Sequence, residues 1–189
     1  MSSERGRLIV VSGPTASGKS TLWRRLIKRD GVDFSVSATT RDPRRGEVDG
    51  QDYHFVSDQK FQEWVKQGAF LEWAEVHGKC YGTLREHVLC SIDSGNDIVL
   101  EIDVQGTRQL VDCDLPLVTL FVTPPSREVL EQRLRDRGTE TEEQIQRRLS
   151  IVEQEMSFAS DYQYQVVNDD FDRMEAEVEL ILGYRKEAC

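Results

Sequence analysis

The sequence predicts an α/β protein built on a mostly parallel central sheet with helices on both faces. Three observations carry this expectation. Short, wholly apolar runs alternate with segments whose apolar residues recur at helical spacing, the order of a sheet covered on both sides. The first such run, Leu8–Ser12, feeds a glycine-rich turn that opens a helix. A stretch over about residues 34–94 has a different texture, rich in alternating and turn-forming segments, and reads as an insertion that forms its own lobe.

The elements follow in order, with an error of a few residues at each boundary. After the strand Leu8–Ser12 comes a helix over Lys19–Arg29. In the insertion, Phe34–Thr40 alternates like a strand, Asp42–Asp52 is turn-rich and Tyr53–Val56 is a short strand. A helix near Gln59–Lys66, a strand at Phe70–Val76 and a helix over Leu84–Ser94 complete it. Asp97–Asp103 then reads as a buried strand, Gln105–Val111 as a short helix and Leu117–Val122 as a strand. Helices at Arg127–Arg137 and Glu142–Ala159, a strand at Gln165–Val167 and a helix over Asp170–Arg185 close the chain. Trp23, Trp64 and Trp73 fall on apolar stripes or strands and are expected in the core.

A chain of 189 residues suits one compact domain with a small inserted lobe. That is long enough to bury a core without disulfide or metal staples. No apolar run approaches the length of a membrane span, and the opening residues hold no signal-peptide core, so a cytoplasmic protein is expected. Cys80, Cys90, Cys113 and Cys189 form no C-x-x-C pair and read as reduced thiols. The formal net charge of −10 argues against a general nucleic-acid binder. Residues 1–60 nevertheless hold 11 Lys/Arg against 8 Asp/Glu, while residues 61–189 hold 13 against 26. A basic front on an acidic protein suggests a local anion site.

That site has a motif. Gly13-Pro14-Thr15-Ala16-Ser17-Gly18-Lys19-Ser20 matches G-x-x-x-x-G-K-[ST] between a strand and a helix, where its mechanism requires it. Such a loop turns backbone N–H groups inward to cradle phosphate oxygens, and the helix dipole adds to the attraction. Lys19 reaches the β- and γ-phosphates, and the Ser20 hydroxyl can ligate Mg²⁺. The expected ligand is a nucleoside triphosphate, held by Gly13 through Thr21.

Further motifs stand downstream. Ser35 to Phe55 reads S-V-S-A-T-T-R-D-P-R-R-G-E-V-D-G-Q-D-Y-H-F, and is followed by Phe70-Leu-Glu-Trp-Ala74, Tyr81-Gly-Thr83 and Glu101-Ile-Asp-Val-Gln-Gly106. Pro124-Pro-Ser126, Arg137-Gly-Thr-Glu-Thr-Glu142, Arg147-Arg-Leu149 and Val167-Asn-Asp169 come after them. Over roughly residues 7–187 the chain resembles the guanylate kinases. The resemblance implies a P-loop NTPase three-layer fold with a parallel sheet, an inserted mixed α/β GMP-binding lobe and a helical LID. It places a CORE in 1–33, 95–125 and 160–189, the lobe in 34–94 and the LID with its flanking helices in 126–159. The implied reaction is ATP + GMP (or dGMP) to ADP + GDP (or dGDP) with Mg²⁺. The implied partners are these small molecules, with no nucleic acid and no membrane, in a monomer or weak homo-oligomer.

By the same resemblance Arg41, Arg44, Tyr53 and Tyr81 hold the acceptor phosphate, for which paired guanidinium groups are well suited. Guanine offers N1–H and N2–H₂ as donors, and a carboxylate answers that edge; the resemblance gives this role to Glu72, with Ser37 and Thr83 as hydroxyl partners. Glu101 and Asp103, two apart on one strand, would face one side beside the phosphate loop. One of them would serve Mg²⁺ or its waters, with Glu101 assigned here, and the other the acceptor's base. Both capping the strand is the alternative. Arg133, Arg137 and Arg148 would close over the phosphates, with Arg44, Arg137 and Arg148 bridging donor and acceptor; each removal would cost about 10³-fold. Lys19 joins those three as the catalytic set. Arg135 and Arg147 read as surface. Asn168 and Asp169 fall where the family contacts adenine, or alternatively form a turn.

One position departs from the pattern. Family loops usually read G-P-S-G-x-G-K-S, and Thr15-Ala16 replaces Ser-Gly here. Alanine lacks glycine's access to positive φ, a cost of about 1 kcal/mol if that geometry is needed. A non-catalytic guanylate-kinase-like module that binds phosphopeptides is the competing reading; such modules usually lose the loop lysine, and this chain keeps Lys19 and Ser20.

Overall fold

The computed structural model describes residues 5–76, 78–136 and 141–184. Two compact units divide the chain: one runs through Val10 and then Leu26–Val118, the other comprises Val11–Arg25 and the residues from Thr119 onward. The chain begins with β1 (Leu8–Ser12) and α1 (Lys19–Leu26) and continues with β2 (Val32–Phe34), β3 (Ala38–Thr39), β4 (His54–Phe55) and α2 (Asp58–Lys66). Next come β5 (Phe70–Val76), β6 (Lys79–Leu84), α3 (Arg85–Asp93), β7 (Asp97–Glu101) and α4 (Val104–Leu110). The last elements are β8 (Leu117–Thr123), α5 (Arg127–Asp136), α6 (Glu142–Met156), β9 (Tyr164–Val167) and α7 (Phe171–Ile181).

One sheet has the strand order β2-β7-β1-β8-β9. Its β2–β7 and β8–β9 pairs are parallel, with Val32 opposite Asp97 and Leu120 opposite Tyr164. Every residue of β1 is buried, as is Asp97–Leu100 of β7, which explains why these strands are continuous apolar runs without alternation. The second sheet, β4-β3-β6-β5, belongs wholly to the first unit and is mixed: β3 runs parallel to β4, and β6 is antiparallel to both β3 and β5.

Local chemistry sets the helix starts. Ser57 caps α2 by accepting the Lys60 N–H, and Phe61 anchors that helix in a cluster with Ala38 and Phe70. Thr141 and Gln144 form a reciprocal capping box at α6. Asp170 caps α7 through the Arg173 N–H. In the second unit, Leu130 and Leu134 of α5 pack on Ile145, Leu149 and Val152 of α6.

Three expectations are corrected. Phe34–Thr40 is two strands, not one: Phe34 ends β2 in the first sheet, while Ala38–Thr39 pairs in the second. The strand at β6 was not anticipated, although Gly78, with φ of +75°, marks the turn of the β5–β6 hairpin. Trp73 is 38% exposed and Trp23 and Trp64 are only half-buried; the Trp64 indole packs against the edge of the Phe61 cluster and does not fill it.

Candidate functional site

The phosphate loop lies in the second unit, between β1 and α1. Gly18 has φ of +104°, and a side chain there would run into the Asn168 amide. That amide is buried and donates to the Ser17 carbonyl at 2.7 Å, so the end of β9 braces the loop. Lys19 Nζ donates to the Gly13 and Pro14 carbonyls at 2.7 and 2.8 Å, which draws the ammonium across the loop. Ala16 has φ of +59°, the one non-glycine residue with positive φ among those described. The left-handed geometry that the sequence left conditional is therefore required here. Its methyl is not idle: Ala16 is 7% exposed and belongs to the α5–α6 cluster with Leu130, Leu134 and Leu149.

Side chains of α5 and α6 reach the same loop. Arg148 Nη1 donates to Thr15 Oγ1 at 3.0 Å. Arg133 Nη2 donates to the Asn168 carbonyl at 2.9 Å, while its Nη1 is buried with no hydrogen-bond partner. Ser17 Oγ is likewise buried and unpartnered. Ala16, Gly18, Thr21, Arg133, Asp136 and Asn168 line a cavity of about 350 Å³. Unsatisfied donors of this kind are uncommon in native proteins, and here they suit an anion or a polar ligand.

The first unit holds the other candidate residues. Arg41 makes a two-pronged ion pair with Glu47, 2.9 Å at each prong, and its guanidinium lies over the rings of Tyr53 and Phe55. Glu47 also accepts the Arg44 N–H at 2.6 Å. The ion pair pushes the Arg41 pKa up and the Glu47 carboxyl down. Tyr53 and Tyr81 meet edge to face with centroids 6.0 Å apart. Burial raises the Tyr53 pKa first, and the charge of Glu101 raises it further. The Ser37 carbonyl accepts the His54 N–H at 2.9 Å, which joins the entries of β3 and β4.

Glu72 is the unusual group. On β5, Phe70, Glu72 and Ala74 point inward while Trp73 and Glu75 point out, so a carboxylate stands in the apolar phase of the strand. Glu72 is 4% exposed, and Thr83 Oγ1 donates to its Oε1 at 2.6 Å. Burial raises its pKa to about 7, against the lowering effect of the Thr83 hydrogen bond and with a further push from Asp103.

Asp103 corrects the expectation of a shared strand face. β7 ends at Glu101, and Asp103 is the N-cap of α4, its Oδ1 accepting the Gly106 N–H at 2.9 Å. The cap starts the helix two residues after the strand, so the spacing of two does not place both carboxylates on one strand. Asp169 is exposed, accepts the Asp170 N–H at 2.6 Å and pairs with Arg173, while Asn168 lines the cavity. Arg137 lies outside the described residues.

A family model described as guanylate kinase matches residues 5–184. The chain belongs to the guanylate kinase family. Among its relatives, a guanylate kinase of Caldanaerobacter subterraneus subsp. tengcongensis is 44% identical over 180 residues, covering 95% of this chain and 87% of that one. A guanylate kinase of Synechocystis sp. is 47% identical over 172 residues, covering 90% of each chain. The crystal structure of guanylate kinase from Anaplasma phagocytophilum superposes with a TM-score of 0.80 at 32% identity, covering 97% of this chain and 87% of that one. The expected fold class, a three-layer α/β architecture with a parallel central sheet, is thereby established.

Within the guanylate kinase framework, the structure gathers the predicted residues into two groups. Gly13 to Thr21, Arg133, Arg148 and Asn168 assemble in the second unit. Ser37, Arg41, Arg44, Tyr53, Glu72, Tyr81, Thr83, Glu101 and Asp103 belong to the first. Arg135 and Arg147 are exposed as expected, Arg135 pairing with Glu131 and Glu142. Sequence reasoning missed Glu47, Asp136 and Gly106. The G-E dipeptide three residues beyond Arg44 was a usable signal for Glu47, because an acid next to a paired-arginine motif has an obvious partner. No helix among the described residues is long and apolar enough to cross a membrane.

Proposed function

We propose that this guanylate kinase transfers the terminal phosphoryl group of ATP to GMP, and also to dGMP, with Mg²⁺. The observation that carries the reading is the buried Glu72 carboxylate, held by Thr83 in a lobe that also presents Arg41, Tyr53 and Tyr81. A desolvated carboxylate satisfies the N1–H and N2–H₂ donors of guanine and leaves adenine, which lacks N1–H, unpaired. Ser37 and Thr83 supply hydroxyl partners to the base. Arg41, steadied by Glu47, and Arg44 bind the acceptor phosphate with the two phenols. Asp103 caps α4 beside Glu72, and Glu101 would serve the acceptor or the waters of the metal.

In the loop from Gly13 to Thr21, the backbone N–H groups, which Pro14 lacks, cradle the donor's β-phosphate, and Lys19 exchanges its loop carbonyls for β- and γ-oxygens. The unpartnered Arg133 Nη1 and the cavity lined by Asn168 suit the donor nucleotide, with the neighbouring Asp169 the second residue the family pattern gives to adenine. Among the described residues no three acidic, His or Cys side chains cluster as metal ligands. Ser20 and Glu101 are the residues that would serve Mg²⁺, an ion that binds through few protein ligands and otherwise to phosphate and water oxygens. Mg²⁺ held there would supply positive charge to the donor's phosphates. An oxygen of the GMP phosphate forms the new bond to the γ-phosphorus, and the bond to the β–γ bridging oxygen breaks, leaving ADP. By the family pattern, Arg44, Arg137 and Arg148 would neutralise the charge on the transferring group. The division into CORE (1–33, 95–125, 160–189), lobe (34–94) and LID (126–159) accompanies this reading.

The test is turnover of Lys19→Ala and Arg148→Ala. Each is expected to lose about 10³-fold in kcat with an unchanged melting temperature. Near-native kcat in either variant removes the role given to that residue.

A further inference from the structure

We propose that Gly106 is a positioning residue for guanine recognition, a glycine because the Glu72 carboxylate occupies the space its side chain would need. The inference rests on the reading that Glu72 meets the base. A Cβ at position 106 would lie 2.5 Å from Glu72 Oε2, closer than real Cβ atoms approach, and a tight 3.1 Å from Cδ. The carboxylate cannot swing away without loss, because Thr83 Oγ1 holds its other oxygen at 2.6 Å in a buried setting. Glu72 is therefore fixed between β6 on one side and α4 on the other.

Backbone conformation does not explain this glycine. Gly106 lies inside α4 without positive φ, a setting in which alanine is intrinsically preferred. The reason for glycine is steric. Its N–H has a second task, since it donates to Asp103 Oδ1 at 2.9 Å. One residue thus sets both carboxylates of the base pocket, one by its N–H and the other by its missing side chain.

The next turn of the same helix strengthens the point. Gln109 Nε2 donates to the Trp73 carbonyl at 2.7 Å, and Gln109 Oε1 accepts the Trp73 N–H at 3.3 Å. β5 is an outer strand of its sheet, so this amide takes the place of a neighbouring strand at the residue next to Glu72. α4 fixes the strand backbone with Gln109 and the carboxylate with Gly106.

The experiment combines Gly106→Ala, Glu72→Ala, the double variant and Gln109→Leu, with KM measured for GMP and ATP and kcat/KM compared between GMP and inosine monophosphate. The latter lacks the N2 amine and reports on the donor edge alone. Gly106→Ala is expected to raise the GMP KM about tenfold or more, to leave the ATP KM unchanged and to shrink the preference for GMP over inosine monophosphate. Gln109→Leu, at an exposed site, moves the same quantities less. In the Glu72→Ala background, adding Gly106→Ala changes the GMP KM by less than about twofold, because the clashing group is gone. If Gly106→Ala alone fails to fold, recovery of folding in the double variant supports the inference, and failure in both overturns it. An unchanged GMP KM in Gly106→Ala, or an effect that persists in full without Glu72, also overturns it. If Glu72→Ala itself leaves the GMP KM unchanged, the base-recognition reading fails first and takes this inference with it.

Discussion

The raised pKa of Glu72 makes GMP binding depend on pH in a way that can be worked out in advance. Its carboxyl shifts from the ordinary 4.5 to about 7 because burial penalises the charge more than Thr83 compensates it. Guanine presents donors to this residue, so the ionised form binds and protonation competes with GMP. Apparent affinity then falls by the factor 1 + 10^(pKa − pH), which is roughly tenfold at one unit below the pKa and negligible at one unit above. The same shift acts on stability with a definite sign. The folded protein binds this proton more tightly than the unfolded chain does, so Glu72's contribution to stability is greatest below about 4.5 and is lost as pH rises to about 7. The total is about 3 kcal/mol. Calorimetric titration with GMP, compared between the native protein and Glu72→Gln, reads the effect. The phosphate of GMP itself titrates near about 6 and contributes equally to both proteins. The native enzyme should show an additional tenfold loss between about pH 8 and about pH 6 that the variant lacks. Identical pH dependence in the two proteins would refute both the shift and the role of the carboxylate.

Two further outcomes are expected. Ala16→Gly relieves left-handed strain of about 1–2 kcal/mol but removes a buried methyl and adds freedom to the unfolded chain, worth about as much together, so thermal denaturation should shift the stability by less than about 1 kcal/mol. A large rise in melting temperature would show that the methyl contributes nothing to the α5–α6 cluster. Glu47→Ala frees Arg41 from its ion pair and should raise the GMP KM about five- to tenfold with the ATP KM unchanged. A fall in the GMP KM would instead mean that Glu47 competes with the acceptor phosphate.

Much of the fold was legible because its strands and helices are locally consistent. β1 and β5 have the bounds read from their apolar patterns, and Ser57, Thr141 and Asp170 mark helix starts with ordinary capping chemistry. β6 was hidden because Tyr81-Gly82-Thr83 carries little apolar alternation and owes its strand to pairing with β3 and β5. The phosphate loop was legible from spacing alone. Glu72 was not, although its phase with Phe70 and Ala74 held the information: an acid on the inward side of an alternating strand is either paired or functional. Ala16 gained its reason only in three dimensions, where residues far along the chain surround its methyl. Gly106 was opaque for the same cause, since the atom that excludes a side chain there belongs to a strand 34 positions earlier.

The most direct measurement of the central claim is ADP release with ATP and Mg²⁺ in the presence of GMP, dGMP, AMP, CMP or UMP in parallel. The account predicts strong turnover with GMP, weaker turnover with dGMP, and kcat/KM lower by about 10⁴-fold with AMP, whose base leaves Glu72 unpaired. Comparable turnover with AMP, or none with any acceptor in a protein that still binds GMP, would contradict it.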